Sequence, residues 1–172
     1  MKILIALIIV LLIMGCEGKA NDDKKLQDSL MSLSFDEFDQ TMDGGWRTYA
    51  QNEDYETATK LIKIYLEKEG LEPFQLRVLN FHCGQMLALM NENEEAIPHM
   101  EVSFKSEEDV MHWNVYVEAT IAFLRKDRET FDLKKQELME KSVFPDGDSN
   151  LKVLELLENS FDSTYKEAMN PN

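Results

Sequence analysis

The sequence predicts an all-α fold, and three observations favour helices over strands. Between Ser34 and the segment 145–150, glycine and proline are scarce, and alternation of β-branched with polar residues is nearly absent. Apolar residues in the same stretch recur at three- and four-residue steps, which is the period of one face of a helix. We therefore expect one helical domain over residues 34–169, a length sufficient for a single core.

The helical region opens on a predicted capping box. Ser34 precedes Glu37 by three residues, so the hydroxyl can accept from the amide of residue 37 while the carboxylate reaches back to residue 34. Six helical segments follow and form three pairs: 36–51 with 55–69, 74–90 with 94–104, and 108–125 with 128–142. Polar turns at 52–54, 91–93 and 126–127 separate the members of each pair, and connections this short predict antiparallel hairpins.

A last amphipathic helix is predicted over 150–169. Its apolar stripe consists of Leu154, Leu157, Phe161 and Tyr165 at three- and four-residue steps. We expect this helix to cap the array by packing on the third pair, against the part of the 128–142 helix that carries Phe131 and Leu138.

The first fifteen residues have the order of a secretion signal. Lys2 is followed by an apolar run over 3–14, which is shorter than the roughly 20 residues of a membrane-spanning helix. The boundary Ile13-Met-Gly-Cys16 resembles the bacterial lipobox, which implies that Cys16 is acylated and becomes the first residue of the mature chain. The alternative is an ordinary cleaved signal with an incidental cysteine. Residues 16–33 are polar and are predicted to form a tether.

A lipidated cysteine implies attachment to a membrane of the cell envelope, facing the periplasm. Glu17 is not the aspartate associated with retention in the inner membrane, so sorting to the outer membrane is favoured. The formal net charge is −15, which repels phosphate backbones and argues against a nucleic-acid partner. Cys83 is the one other cysteine, and we expect it to be a small buried apolar residue, with a reactive thiol as the alternative.

Small and aromatic residues recur at a spacing close to that of tetratricopeptide repeats, which are about 34 residues long. Ala58 and Ala96 lie 38 residues apart at the small position of the second helix. The same register places Trp46 with Tyr49, Gly84 with Leu87, and Ala119 with Ala122 at the first-helix crossing, while Phe131 stands where a third small residue belongs. The stretch 39–145 thus resembles about three degenerate tetratricopeptide-like repeats. A generic antiparallel bundle is the alternative.

This resemblance implies a concave groove lined by the first helix of each pair. The residues that would line it are Arg47, Phe81, His82, Gln85, Trp113, Tyr116, Thr120 and Phe123. Aromatic walls with a few polar groups are typical of peptide and small-ligand sites. The alternative is that the aromatic residues pack in the core.

Motifs for catalysis and metal binding are absent from the sequence. The residues His82, His99 and His112 are not spaced by three or four, and the acidic clusters lack the pattern of a calcium loop. We expect no metal and no cofactor. The favoured function is a lipid-anchored adaptor that binds an envelope protein or peptide. The alternatives are an enzyme with a polar cluster around His82 and Tyr116, with Asn114 beside them, or a structural lipoprotein that oligomerises; the oligomeric state is left open.

Overall fold

A computed structural model describes residues 24–25, 27–106, 109, 111–142 and 148–170, and these residues contain helices and connecting segments but no strand. The predicted all-α class is confirmed. The predicted signal 1–15 and the predicted lipidation site Cys16 lie outside the described residues. None of the described helices is both long and apolar enough to cross a membrane.

Eight α-helices follow a five-residue π-helical segment, Asp36–Gln40. They are α1 Arg47–Gln51, α2 Tyr55–Leu66, α3 Pro73–Leu89, α4 Asn93–Val102, α5 Trp113–Arg125, α6 Arg128–Lys141, α7 Ser149–Asn159 and α8 Tyr165–Met169. Each helix from α1 to α6 packs against the next one along the chain. Helix α7 packs on α5, α6 and α8, and α8 returns to contact α3. The end of the chain is thereby brought back to the second helix pair.

The predicted first helix, 36–51, is wrong, because the chain turns between residues 41 and 46. Thr41 has an extended backbone with ψ of 120°, and Gly45 has φ of +53°. A Cβ at Gly45 would lie 1.9 Å from the carbonyl oxygen of Phe38, so only glycine allows the chain to pass this closely. The turn brings Trp46 back beside Asp39.

The predicted last helix, 150–169, is also broken. Helix α7 ends at Asn159, and a second helix starts at a capping box in which Thr164 and Glu167 bond to each other's main-chain amides. The predicted packing of this region on the third pair is confirmed, since the rings of Phe161 and Phe131 are 5.1 Å apart and Lys135 pairs with Glu158 of α7. The predicted helix 108–125 begins only at residue 113.

Helices α3 and α4 cross at a glycine. A Cβ added to Gly84 would lie 2.7 Å from Cγ of Met100 and 2.9 Å from the carbonyl oxygen of Ala96. The side chains of Ala96 and Met100 are fully buried at this contact. The absence of a side chain at residue 84 therefore sets the close approach of the two helices.

The packed part of the chain begins before the predicted boundary at residue 34. Leu30, Met31 and Leu33 are partly buried against the core. The hydroxyl of Tyr65 and the ammonium of Lys68 donate to the carbonyl oxygen of Leu33, at 2.9 and 2.7 Å. The last residues of the predicted tether thus belong to the domain.

Candidate functional site

A cavity of about 330 Å³ lies between the 42–55 region, α3 and the end of α8. Its size is at the lower end of the range of about 300–1,000 Å³ that is usual for ligand sites. The wall is mostly apolar and aromatic and carries one cation and three amides. The lining residues are Met42, Trp46, Arg47, Ala50, Gln51, Tyr55, Gln85, Met86, Leu89, Tyr165, Met169 and Asn170.

A buried carboxylate supports one side of this cavity. The side chain of Asp39 is fully buried, and its Oδ1 accepts a hydrogen bond from Nε1 of Trp46 at 2.9 Å and lies 2.8 Å from Nδ1 of His82. The amide of Gln40 donates to Oδ2 at 2.5 Å. Burial by itself would raise the pKa of Asp39, but the hydrogen bonds and charges of His82, Trp46 and Arg47 outweigh it, so the pKa is lowered. The carboxylate is ionised and fixes the orientation of both rings.

The one cation of the cavity wall, Arg47, is held in two ways. Its Nε donates to the main-chain oxygen of Asp39 at 2.5 Å, and its guanidinium carbon lies 4.5 Å from the ring centroid of Trp46. Burial lowers its pKa, and the charge of Asp39 raises it, yet an arginine remains protonated at any physiological pH. Among the described residues, the terminal Nη donors have no hydrogen-bond partner. These donors are available to a ligand.

The three amide side chains each use their NH2 group within the protein. Gln51 donates to the carbonyl oxygen of Met42 at 2.7 Å, Gln85 to the hydroxyl of Tyr165 at 3.3 Å, and Asn170 to the carbonyl oxygen of residue 166 at 3.2 Å. The amide oxygens of these residues have no hydrogen-bond partner among the described residues and can accept from water or a ligand. A ligand with N–H donors would complement them.

Two of the eight residues predicted to line a groove, Arg47 and Gln85, line this cavity. His82 lies behind the wall, where its ring is 5.2 Å from that of Trp46 and its side chain is 17% exposed. The other five residues are not brought to the cavity.

Those five residues lie in the helix interfaces. Phe81 packs against Trp113 at 4.8 Å and against Tyr116 at 5.4 Å, while Phe123 packs against Phe131 and Phe161. Thr120 is fully buried, and its hydroxyl donates to the carbonyl oxygen of Tyr116. The structure therefore does not assemble the eight residues into one groove, because four of them are buried and Trp113 is half-buried beside them.

The polar cluster considered for an enzyme is likewise not assembled. Both amide atoms of Asn114 bond to the main chain of Lys105, and Nε1 of Trp113 donates to the carbonyl oxygen of Ser103 at 2.9 Å. Burial raises the pKa of Tyr116 well above its usual value. The bonds of Asn114 and Trp113 fix the loop before α5, whereas His82 bonds to Asp39.

Cys83 is a buried thiol, as the sequence predicts. Its side chain has no exposed surface, and burial raises its pKa to about 12, although the charge of Lys63 opposes this. A thiol with this pKa is protonated at neutral pH and is a weak nucleophile.

Several residues that shape the cavity are not among those predicted from the sequence to line a groove. Asp39 supports it from behind, and Trp46, Met86 and Tyr165 form much of its wall. One signal for Asp39 was present: its neighbour Phe38 and the residue four positions earlier, Phe35, are apolar and buried, so an acid on this stripe must find partners.

Comparison with protein-family models, with curated proteins and with solved structures finds no match to this chain. Within the described ranges, no three His, Cys, Asp or Glu side chains gather in a way that could hold a metal ion.

Proposed function

We propose that this chain is a lipid-anchored binding module of the bacterial cell envelope, whose helical domain holds a peptide or a segment of an envelope protein. The observation that carries the proposal is the cavity beside Arg47. It joins one available cation and three amide oxygens to an apolar wall, on a chain whose formal net charge is −15. This combination suits a ligand that is partly polar and partly apolar.

The anchor is proposed from the sequence at the N-terminus. Lys2, the apolar run 3–14 and the cysteine after Gly15 together resemble a lipoprotein signal. We expect the chain expressed in bacteria to incorporate an alkyne-labelled fatty acid and to sediment with outer-membrane fractions. The variant Cys16→Ser should lose the label and accumulate as an uncleaved precursor. Labelling of that variant would overturn the lipid anchor.

A tetratricopeptide-like arrangement of the helices is also proposed. Two features support it: the close crossing of α3 and α4 at Gly84, and full burial of Ala58 and Ala96 at the small position of the second helix and of Ala119 at the first-helix crossing. Such arrays commonly serve as binding scaffolds because stacking exposes an extended face.

The binding function is tested by crosslinking in cells with the full-length chain. We expect the crosslinked envelope partners to be lost with Arg47→Gln and retained with Arg125→Gln. Arg125→Gln is a matched control because it makes the same substitution outside the cavity. Arg125 is exposed and pairs with Glu101. Recovery of the same partners with both variants would remove the cavity from the function.

A further inference from the structure

We infer that the cavity recognises the free carboxyl terminus of an extended peptide whose last residue is apolar. This inference rests on the proposed function and names its ligand. The carboxylate would pair with the guanidinium of Arg47, the peptide N–H groups would donate to the amide oxygens of the wall, and the last side chain would pack on Met86 and Leu89.

Charge complementarity points to an anionic group. Among the described residues that line the cavity, Arg47 is the one charged side chain, and no carboxylate lines it. The chain as a whole carries 33 acidic and 18 basic residues, so a wall with one cation and no acid differs in sign from the net charge of the chain. A planar guanidinium with both Nη donors available matches the two oxygens of a carboxylate.

The nearby acid does not occupy that guanidinium fork. Both carboxylate oxygens of Asp39 bond to other side chains, and Arg47 contacts its main-chain oxygen through Nε alone. Asp39 and Trp46 therefore orient Arg47 and leave its Nη donors without a hydrogen-bond partner among the described residues. A guanidinium held in place in this way loses little freedom when it pairs with a ligand.

The amides distinguish a peptide from a simple fatty acid. The oxygens of Gln51, Gln85 and Asn170 can exchange water for N–H donors, which a peptide main chain supplies and a hydrocarbon tail does not. A tail laid over them would displace their water without replacing its hydrogen bonds. The volume of about 330 Å³ limits the enclosed part of the ligand to a short terminal segment.

The test uses the chain from residue 16 onward with Cys16→Ser, which contains every described residue together with the core that they form. Three probes are titrated by calorimetry: the peptide Ala-Ala-Ala-Leu with a free carboxylate, its C-terminal amide, and decanoate. We expect the free acid to bind at least tenfold more tightly than the amide. Decanoate should bind more weakly than the free acid.

A variant separates the carboxylate contact from the rest of the site. Arg47→Gln should reduce binding of the free acid to the level of the amide and leave the amide unchanged, whereas Arg125→Gln should change neither. Equal binding of acid and amide to the unmodified chain overturns the inference, as does tighter binding of decanoate or no binding of any probe at millimolar concentration. If Arg47→Gln fails to fold, the difference in affinity between the free acid and the amide for the unmodified chain still tests the inference.

Failure of this inference differs from failure of the proposed function. Arg47→Gln could lose its crosslinked partners in cells while the free acid and the amide bind equally to the unmodified chain. In that case the module binds through the cavity but does not recognise a carboxyl terminus. If neither partners nor peptides depend on Arg47, both proposals fall.

Discussion

Asp39 is a buried carboxylate that holds three neighbouring side chains in place. Trp46 and His82 bond to one of its oxygens and Gln40 to the other, and none of its surface is exposed. A buried charge contributes to stability only when hydrogen bonds replace the water it has lost. Asp39 therefore links the π-helical segment to His82 of α3 and helps to fix the position of Arg47.

The variant Asp39→Asn should lower the free energy of unfolding by about 1.5–3 kcal/mol at neutral pH, since hydrogen bonds to a charged group are lost. The pKa of Asp39 is lower in the folded chain than the value of 3.8 expected when unfolded. Its ionised form is thus favoured by folding, and this contribution is present above pH 3.8 and lost as pH falls through the lower, folded pKa. Urea unfolding of both proteins at several pH values measures the difference.

The difference between Asp39→Asn and the unmodified chain should shrink as the pH falls below 3.8 and the carboxylate of Asp39 is protonated. Asp36→Asn is a matched control, because Asp36 lies on the same segment and is exposed. We expect that control to change stability by less than about 0.5 kcal/mol. A difference as large well below pH 3.8 as at about pH 5 would contradict the ionised, bonded state of Asp39.

Cys83 should be inert towards thiol reagents while the domain is folded. Its thiol has no exposed surface, and burial raises its pKa to about 12, so the reactive thiolate is scarce. In the form with Cys16→Ser, we expect maleimide to modify Cys83 only above the urea concentration that unfolds the chain, as followed by mass spectrometry. Modification in native buffer at the rate of a free thiol would show that this part of α3 opens.

At the scale of elements, local sequence signals predicted most of the helices. The Ser34 and Glu37 capping box forms, with the amide of Ser34 donating to Glu37 at 2.9 Å, and the turns at 52–54, 91–93 and 126–127 connect helices as expected. These features depend on residues a few positions apart, which the periodicity of the sequence displays.

The two broken helices show where periodicity misleads. Apolar spacing continues through the turn at 41–46 and through 160–164, so it predicted unbroken helices. The break signals were glycine and capping chemistry: Gly45 adopts a positive φ, and Thr164 with Glu167 restarts the chain as α8. Both breaks turn the chain back on itself, and the residues that follow them line the cavity.

The turn between α7 and α8 is held by one lysine. The ammonium of Lys126 donates to the carbonyl oxygen of Phe161 at 2.7 Å and to that of Ser163, and it lies 4.0 Å from the ring centroid of Phe123. Lys126 therefore ties the connection after α5 to the segment that positions α8.

The variant Lys126→Met should lower the free energy of unfolding by about 1–2 kcal/mol, because it keeps the apolar stem and removes two hydrogen bonds. Chemical denaturation measures this loss. Lys152→Met makes the same chemical change at an exposed position of α7 and should have an effect of less than about 0.5 kcal/mol. Equal stability of the two variants would contradict the role of Lys126.

At the scale of the whole molecule, the cavity depends on contacts between residues far apart in the sequence. Asp39 and His82 are 43 residues apart, and Gln85 and Tyr165 are 80 apart. Helical register alone identified Arg47 and Gln85, since each faces the neighbouring helices at a predictable position. Register does not reveal that α8 folds back onto α3, so the wall contributed by Tyr165 and Met169 could not be predicted.

The C-terminal region should be essential for the fold of the whole domain. Truncation after Asp148 removes α7, α8 and the turn between them, and with them five large buried side chains. These are Leu151, Leu154, Leu157, Phe161 and Tyr165. Each contributes roughly 1.5–3 kcal/mol when buried, and a domain is stable by only about 5–15 kcal/mol in total. The truncation would also expose the rings of Phe123 and Phe131, against which Phe161 packs.

We therefore expect the form with Cys16→Ser that ends at Asp148 to lose its cooperative thermal transition by circular dichroism and to elute as aggregates in size-exclusion chromatography. The matched control ends at Asn170 and keeps all of the buried residues of α7 and α8, so its melting temperature should equal that of the longer chain. An unchanged transition after truncation at Asp148 would mean that α5 and α6 are stable without their cover. In that case α8 would line the cavity through Tyr165 and Met169, but neither α7 nor α8 would be needed to stabilise the core.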